Sequence, residues 1–195
     1  MKKDKILKIA ASIMLLCGAE ALTFPYLANR TGLRQDNLAA LFPRGEQELV
    51  LDTIEYTGRV WVEQLKRRIT GKASAEEKRA LLIESYAMGT KDFPQALSAY
   101  VDMWKIIKDR KDSYIQGRLK EIYRYYSLEF ITILQELGDF SLPQRELDAF
   151  AFILTIFSDV IHLQSQILKN EVDFFGISRV IVKMAAGFLQ EERHE

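Results

Sequence analysis

Arg34, Gln35 and Asn37 stand close together in one polar stretch, GLRQDNLAALF over residues 32–42. These side-chain types recognise the edges of bases. Arginine forks onto guanine, and glutamine or asparagine onto adenine, each good pair being worth about 1–3 kcal/mol of discrimination. A helix over 35–41 turns Arg34, Gln35, Asn37 and Ala40 outward. Taken alone, the same residues are more simply the solvated face of a polar helix.

Other chemistry is sparse. The two histidines, His162 and His194, lie far from Cys17, so no metal cluster is readable. There is no Gly-rich phosphate loop, no dinucleotide fingerprint and no Ser-His-Asp set. Neither an enzyme nor a cofactor or metal site is expected. The single Cys17 excludes an internal disulfide and fits a reducing compartment. Asp159 and His162, three apart on an otherwise apolar helix, read either as a hydrogen-bonded core pair or as anchors for a polar group on a ligand. Trp61, Tyr86, Trp104, Tyr126, Phe130 and Phe157 read singly as core packing.

The elements that must position these residues are helices. Apolar spacing marks a first helix with Ile6, Ile9, Ala10, Ile13, Leu16 and Cys17 on one face. Thr23 followed by Pro25 starts a second, running to about Arg30, and Gly32 turns the chain into the third. Glu46 to Ile69 is one long helix, stopped at Gly71. Ser74–Glu77 is a capping box opening a helix to about Thr90, and Asp92 opens another through Trp104 and Ile107. KDRKD over 108–112 is a break, and Ser113–Leu137 a long helix ended by Gly138. Ser141–Gln144 is a second capping box, before a helix 144–169 that is apolar nearly all round and therefore needs cover on more than one side. Asp173 caps the last helix, 173–192. No alternating strand or hairpin signal is present, so the fold class is all-α, with about nine helices.

ILKIAASIMLLCGAEALTFPYLANRTGLRQDNLAALF, residues 6–42, resembles the helix-turn-helix head of TetR-family transcriptional regulators. Ile6, Leu7, Ala10, Gly18, Thr23, Leu27, Ala28, Gly32, Leu33, Leu38 and Phe42 match that pattern without a gap. The resemblance implies a DNA-binding head at 1–48 and a ligand-binding, dimerising body at 49–195. It implies a homodimer through helices 144–169 and 173–192, a double-stranded DNA operator, a small apolar effector and a repressor role. Thr23 and Arg44 become phosphate contacts beside Arg34, Gln35 and Asn37. Trp61, Tyr86, Trp104, Tyr126, Phe130, Phe157, Asp159 and His162 become candidates for the ligand. The chain departs from the family pattern at Arg34 (usually a capping Ser), Ala39 (usually Tyr) and Gly45 (usually Lys), and Asp36 repels phosphate. The segment LFPRGEQELV also resembles TetR-fold lipid-binding proteins of coenzyme Q biosynthesis, which implies an alternative: a lipid or quinone binder that has lost DNA recognition.

Charge supports a division of labour. Residues 1–45 carry seven basic and three acidic side chains in a chain of net charge +0. Residues 1–17 also have the lysine-rich start and short apolar run of a secretory signal. Because the pattern continues in register to Phe42, the first helix is the better reading, with a cytoplasmic protein and no membrane partner.

Overall fold

The computed structural model describes residues 2–88, 112–138, 142–168 and 173–189. Eight α-helices lie among them: α1 (Lys3–Cys17), α2 (Phe24–Thr31), α3 (Gln35–Leu41), α4 (Glu46–Thr70), α5 (Ala75–Met88), α6 (Ser113–Glu136), α7 (Gln144–Leu168) and α8 (Phe174–Phe188). A short 3-10 turn, Ala19–Ala21, joins α1 to α2, and the described residues contain no strand. The helix expected from Asp92, with Trp104, lies outside the described residues.

Local capping explains where the helices begin. Thr23 accepts a hydrogen bond from the Tyr26 amide at the start of α2. Ser74 and Glu77 close the expected capping box: the Glu77 amide donates to Ser74 Oγ at 3.1 Å, and the Ser74 amide to Glu77 Oε2 at 3.1 Å. The Ser74 amide, joined by the Ala73 amide at 3.2 Å, holds the Glu77 carboxyl below its ordinary range. Asp173 accepts from the Gly176 amide at 2.8 Å. Ser141, the capping residue of the second expected box, lies outside the described residues; Gln144 at its other end donates its side-chain amide to Asp148 at 2.9 Å.

Two compact units emerge. The first is drawn from Met1–Trp61 and Asp92–Ile122, the second from Val62–Lys91 and Tyr123–Glu195. In the first, α1 packs on α2 and α2 on α3. Ile6, Ala10, Leu27, Leu38, Phe42 and Leu49 form its core. The buried side of α1 is Ile6, Leu7, Ala10, Ala11, Ile13 and Met14. The expected stripe is therefore corrected at its end: Leu16 is 75 % exposed and Cys17 is exposed. Nothing buries Leu16 because the face that α1 turns inward is the one carrying positions 6, 10, 13 and 14, and Gly18 ends the helix one residue after Cys17.

In the second unit α5 packs against α7 and α8. An aromatic spine runs through it. The Tyr86 ring meets Phe130 edge-on at 4.8 Å, Phe130 lies 5.8 Å from Phe150, and Phe150 stacks on Phe188 at 5.3 Å. Lys66 of α4 pairs with Glu129 of α6 at 2.6 Å, and that hydrogen bond holds the lysine above its ordinary pKa. Outward, α7 exposes Phe152, Ile153, Ile156, Phe157 and Val160, and α8 exposes Ile177, Val180, Met184 and Phe188. Among the described residues, no helix is long and apolar enough to cross a membrane.

Phe130 is fully buried at the centre of the spine. Phe130→Ala is expected to destabilise the protein by about 3–5 kcal/mol, read as a lower urea midpoint by circular dichroism. Leu128→Ala, two positions away but half exposed, is expected to change stability by less than about 0.5 kcal/mol.

Candidate nucleic-acid interface

The candidate interface is drawn from α2, α3 and the turn into α4. At seven residues α3 is too short to hold itself in water. Leu38 on its inner side and Phe42 just beyond its end are both fully buried, and the Phe42 ring lies 6.4 Å from Phe24 of α2. This fixes which side of α3 faces away: Gln35, Asp36, Asn37, Ala39 and Ala40 are all exposed. The turn from α2 depends on Gly32, whose φ of +70° is a left-handed conformation that a side chain would strain.

Arg34 is the N-cap residue of α3 and makes no side-chain cap. Its guanidinium instead bonds Asp36 at 3.0 Å, both side chains being 82 % exposed. Water screens such a pair, so it adds little stability. It does occupy part of the arginine fork and places a carboxylate beside it.

Thr23 spends its hydroxyl on the α2 cap, while the next amide, Phe24 N–H, donates to Glu46 Oε1 at 2.6 Å. The Arg44 amide donates to Glu48 Oε2 at 2.9 Å, and its guanidinium carbon lies 4.3 Å above the centre of the Tyr114 ring. Gly45 follows with φ +83°, a left-handed conformation that a lysine side chain would strain. Thr23, Arg34, Gln35, Asn37 and Arg44 thus all belong to the first unit.

Spacing did not reveal the ionic groups behind this face. Lys3 of α1 pairs with Asp52 of α4 at 2.6 Å and lies 4.9 Å from the centre of the Phe42 ring. Arg118 of α6 bonds Asp52 at 2.9 Å, Glu55, and Glu121 at 3.0 Å. Partners 63 and 66 residues apart leave no periodic signal.

The ligand candidates are dispersed. Tyr86, Tyr126 and Phe130 come together in the second unit, where the Tyr86 hydroxyl donates to the Tyr126 carbonyl at 3.0 Å. Burial pushes the Tyr86 pKa well above the ordinary range and that of Tyr123, on α6 in the same unit, to about 12. Phe157 lies on the exposed face of α7, and Trp61 is half-buried in the first unit. Asp159 and His162 fall within α7, with side chains outside the described set, as is Trp104. Among the described residues, no group of three or more His, Cys, Asp or Glu side chains is placed to hold a metal ion.

No family model matches the sequence, and no curated protein matches it. Solved structures do. A TetR-family transcriptional regulator from Cytophaga hutchinsonii superposes with a TM-score of 0.70 at 15 % identity, covering 96 % of each chain. A putative TetR-family regulator from Rhodococcus sp. gives 0.69 at 14 % identity, covering 96 % of this chain and 97 % of that one. The transcriptional regulator FadR of Bacillus subtilis, in complex with stearoyl-CoA, gives 0.65 at 15 % identity, covering 94 % and 97 %. Across nearly its whole length, this chain has the fold of the TetR-family transcriptional regulators.

Proposed function

We propose that the protein is a ligand-responsive, DNA-binding transcriptional regulator, a repressor that works by binding and not by catalysis. The observation that carries this is the orientation of α3. Burial of Leu38 and Phe42 leaves Gln35 and Asn37, with Arg34 before them, on the free side of a short helix set by a helix-turn-helix. That is the arrangement that reads base edges in the major groove. Thr23 and Arg44 flank it as backbone contacts.

The protein acts in the cytoplasm as a homodimer. The apolar faces of α7 and α8, from Phe152 to Val160 and from Ile177 to Phe188, are what a second copy covers. Two-fold symmetry then sets two α3 helices about 34–36 Å apart, on a near-palindromic operator. An apolar effector held in the body shifts α4, which supplies residues to both units, and lowers DNA affinity. Tyr86, Tyr126 and Phe130 lie on the effector side of this scheme, with Trp61, Trp104, Phe157, Asp159 and His162 as further candidates. Stearoyl-CoA, which accompanies the Bacillus subtilis regulator, makes a long-chain acyl thioester the first effector to try.

A second reading keeps the fold and drops the DNA. Asp36 bonded to Arg34, with alanine at 39 and glycine at 45, favours a lipid or quinone binder without an operator.

Fluorescence anisotropy with the intergenic DNA upstream of the gene, against a scrambled duplex, separates the two. Selective binding is expected, and joint substitution of Arg34, Gln35 and Asn37 by alanine is expected to remove at least about tenfold of it. Asp36→Asn is expected to tighten binding to both duplexes by about twofold to fivefold, since it removes a carboxylate facing phosphate. Equal, weak binding to both duplexes, with lipid co-purifying, would establish the second reading. Sedimentation is expected to show a dimer that Phe157→Glu with Val180→Glu converts to monomer; a wild-type monomer at micromolar concentration would refute the dimer.

A further inference from the structure

We infer that Tyr114 is a positioning residue for DNA binding, holding Arg44 for contact with a backbone phosphate. This rests on the DNA-binding reading above.

The two cationic groups nearest in role differ in how they are held. The Arg34 guanidinium is engaged at its edge by Asp36. The Arg44 guanidinium instead lies over an aromatic face, its carbon 4.3 Å from the centre of the Tyr114 ring, and among the described residues it forms no ion pair. A guanidinium held over a ring is attracted by the ring's π electrons without an acceptor oxygen, so N–H groups remain available. An edge-on ion pair consumes those donors. The cation–π contact therefore narrows the rotamers of Arg44 and leaves N–H groups for phosphate, and less freedom is lost on binding.

Both partners stand on fixed backbone. The Arg44 amide is tied to Glu48 at 2.9 Å, and the Gly45 amide returns to the Phe42 carbonyl at 2.9 Å. Asp112 caps α6 by accepting from the Tyr114 amide at 2.8 Å and the Ile115 amide at 3.4 Å. One turn further along α6, Arg118 fastens the helix to Asp52 and Glu55 of α4. The ring thus sits between a capped helix start and an ionic anchor. All of these residues belong to one compact unit. Arg44 itself lies between the end of α3 and the start of α4, beside the helix that would enter the groove, where positioning contacts to phosphate are made.

The test uses the full-length protein, a fluorescein-labelled duplex of the upstream intergenic sequence and a scrambled duplex, in a salt series. Arg44→Ala is expected to weaken binding to both duplexes by about tenfold and to reduce the salt slope by about one. Tyr114→Ala is expected to weaken both by about threefold to fivefold. In the Arg44→Ala background the same change should cost nothing further. Tyr114→Phe, which keeps the ring, should bind as wild type does; Tyr114→Leu, which keeps apolar packing without it, should behave as the alanine variant. Thermal melts and circular dichroism show which variants remain folded, and the Phe and Leu variants carry the test if alanine does not fold.

Additive losses in the double variant, or a Tyr114→Phe protein as weak as Tyr114→Ala, would overturn the inference. So would Arg44→Ala weakening DNA while Tyr114→Ala and Tyr114→Leu leave it unchanged, in which case the regulator reading survives. If wild-type protein binds neither duplex, the regulator reading and this inference fall together.

Discussion

The burial of Leu38 and Phe42 is the constraint on which the rest depends. A helix of seven residues lacks the length to be stable by itself, and α3 has no side-chain cap at Arg34 to help it. Its conformation and its rotation are therefore set from outside, by two apolar side chains held in a core that α1, α2 and the start of α4 complete. Everything presented on the opposite side follows from that anchoring. The polar residues do not select their own orientation; the apolar ones select it for them.

The second unit solves a different problem. Its helices are long enough to be stable with one good face, and the spine from Tyr86 through Phe130 and Phe150 to Phe188 supplies that face. Aromatic rings bury a large area per residue and still admit a hydroxyl, as the bond from Tyr86 to the Tyr126 carbonyl shows. The unusual feature is on the outside. Two successive helices keep large apolar side chains in water, an arrangement monomeric proteins rarely sustain.

Helix positions were legible in the sequence because each rests on a local rule. Thr23, Ser74, Asp173 and Gly32 act on residues within four positions of themselves, and all four stand where spacing placed them. The third helix, α3, stands at 35–41 for the same reason. The face of α1 was only half legible: Ile6, Ala10 and Ile13 were found, but Leu16 and Cys17 continue the same periodicity beyond the surface available to cover them. Periodicity gives an angle, and only the fold says how far along the helix a neighbour extends. The ties from Lys3 to Asp52, from Arg118 to Asp52 and Glu55, and from Arg44 to Tyr114 were not legible at all. Charged and aromatic residues are common on every helix here, and pairings across 49 to 70 positions follow from tertiary packing alone. The ligand candidates were chosen by type, so aromatic residues of the core and of the outer face entered together; Phe130 and Phe157 now stand on opposite sides of that distinction.

The left-handed conformation of Gly45 has a bearing on how this chain can change over time. A lysine cannot be placed at position 45 by a single codon change without strain. Any residue with a Cβ at φ +83° carries a cost of about 1–2 kcal/mol, which is a substantial share of the stability of a small domain. A residue with a side chain would first require the turn between α3 and α4 to be rebuilt. The backbone thus directs any added positive charge to neighbouring positions, of which 44 already carries an arginine.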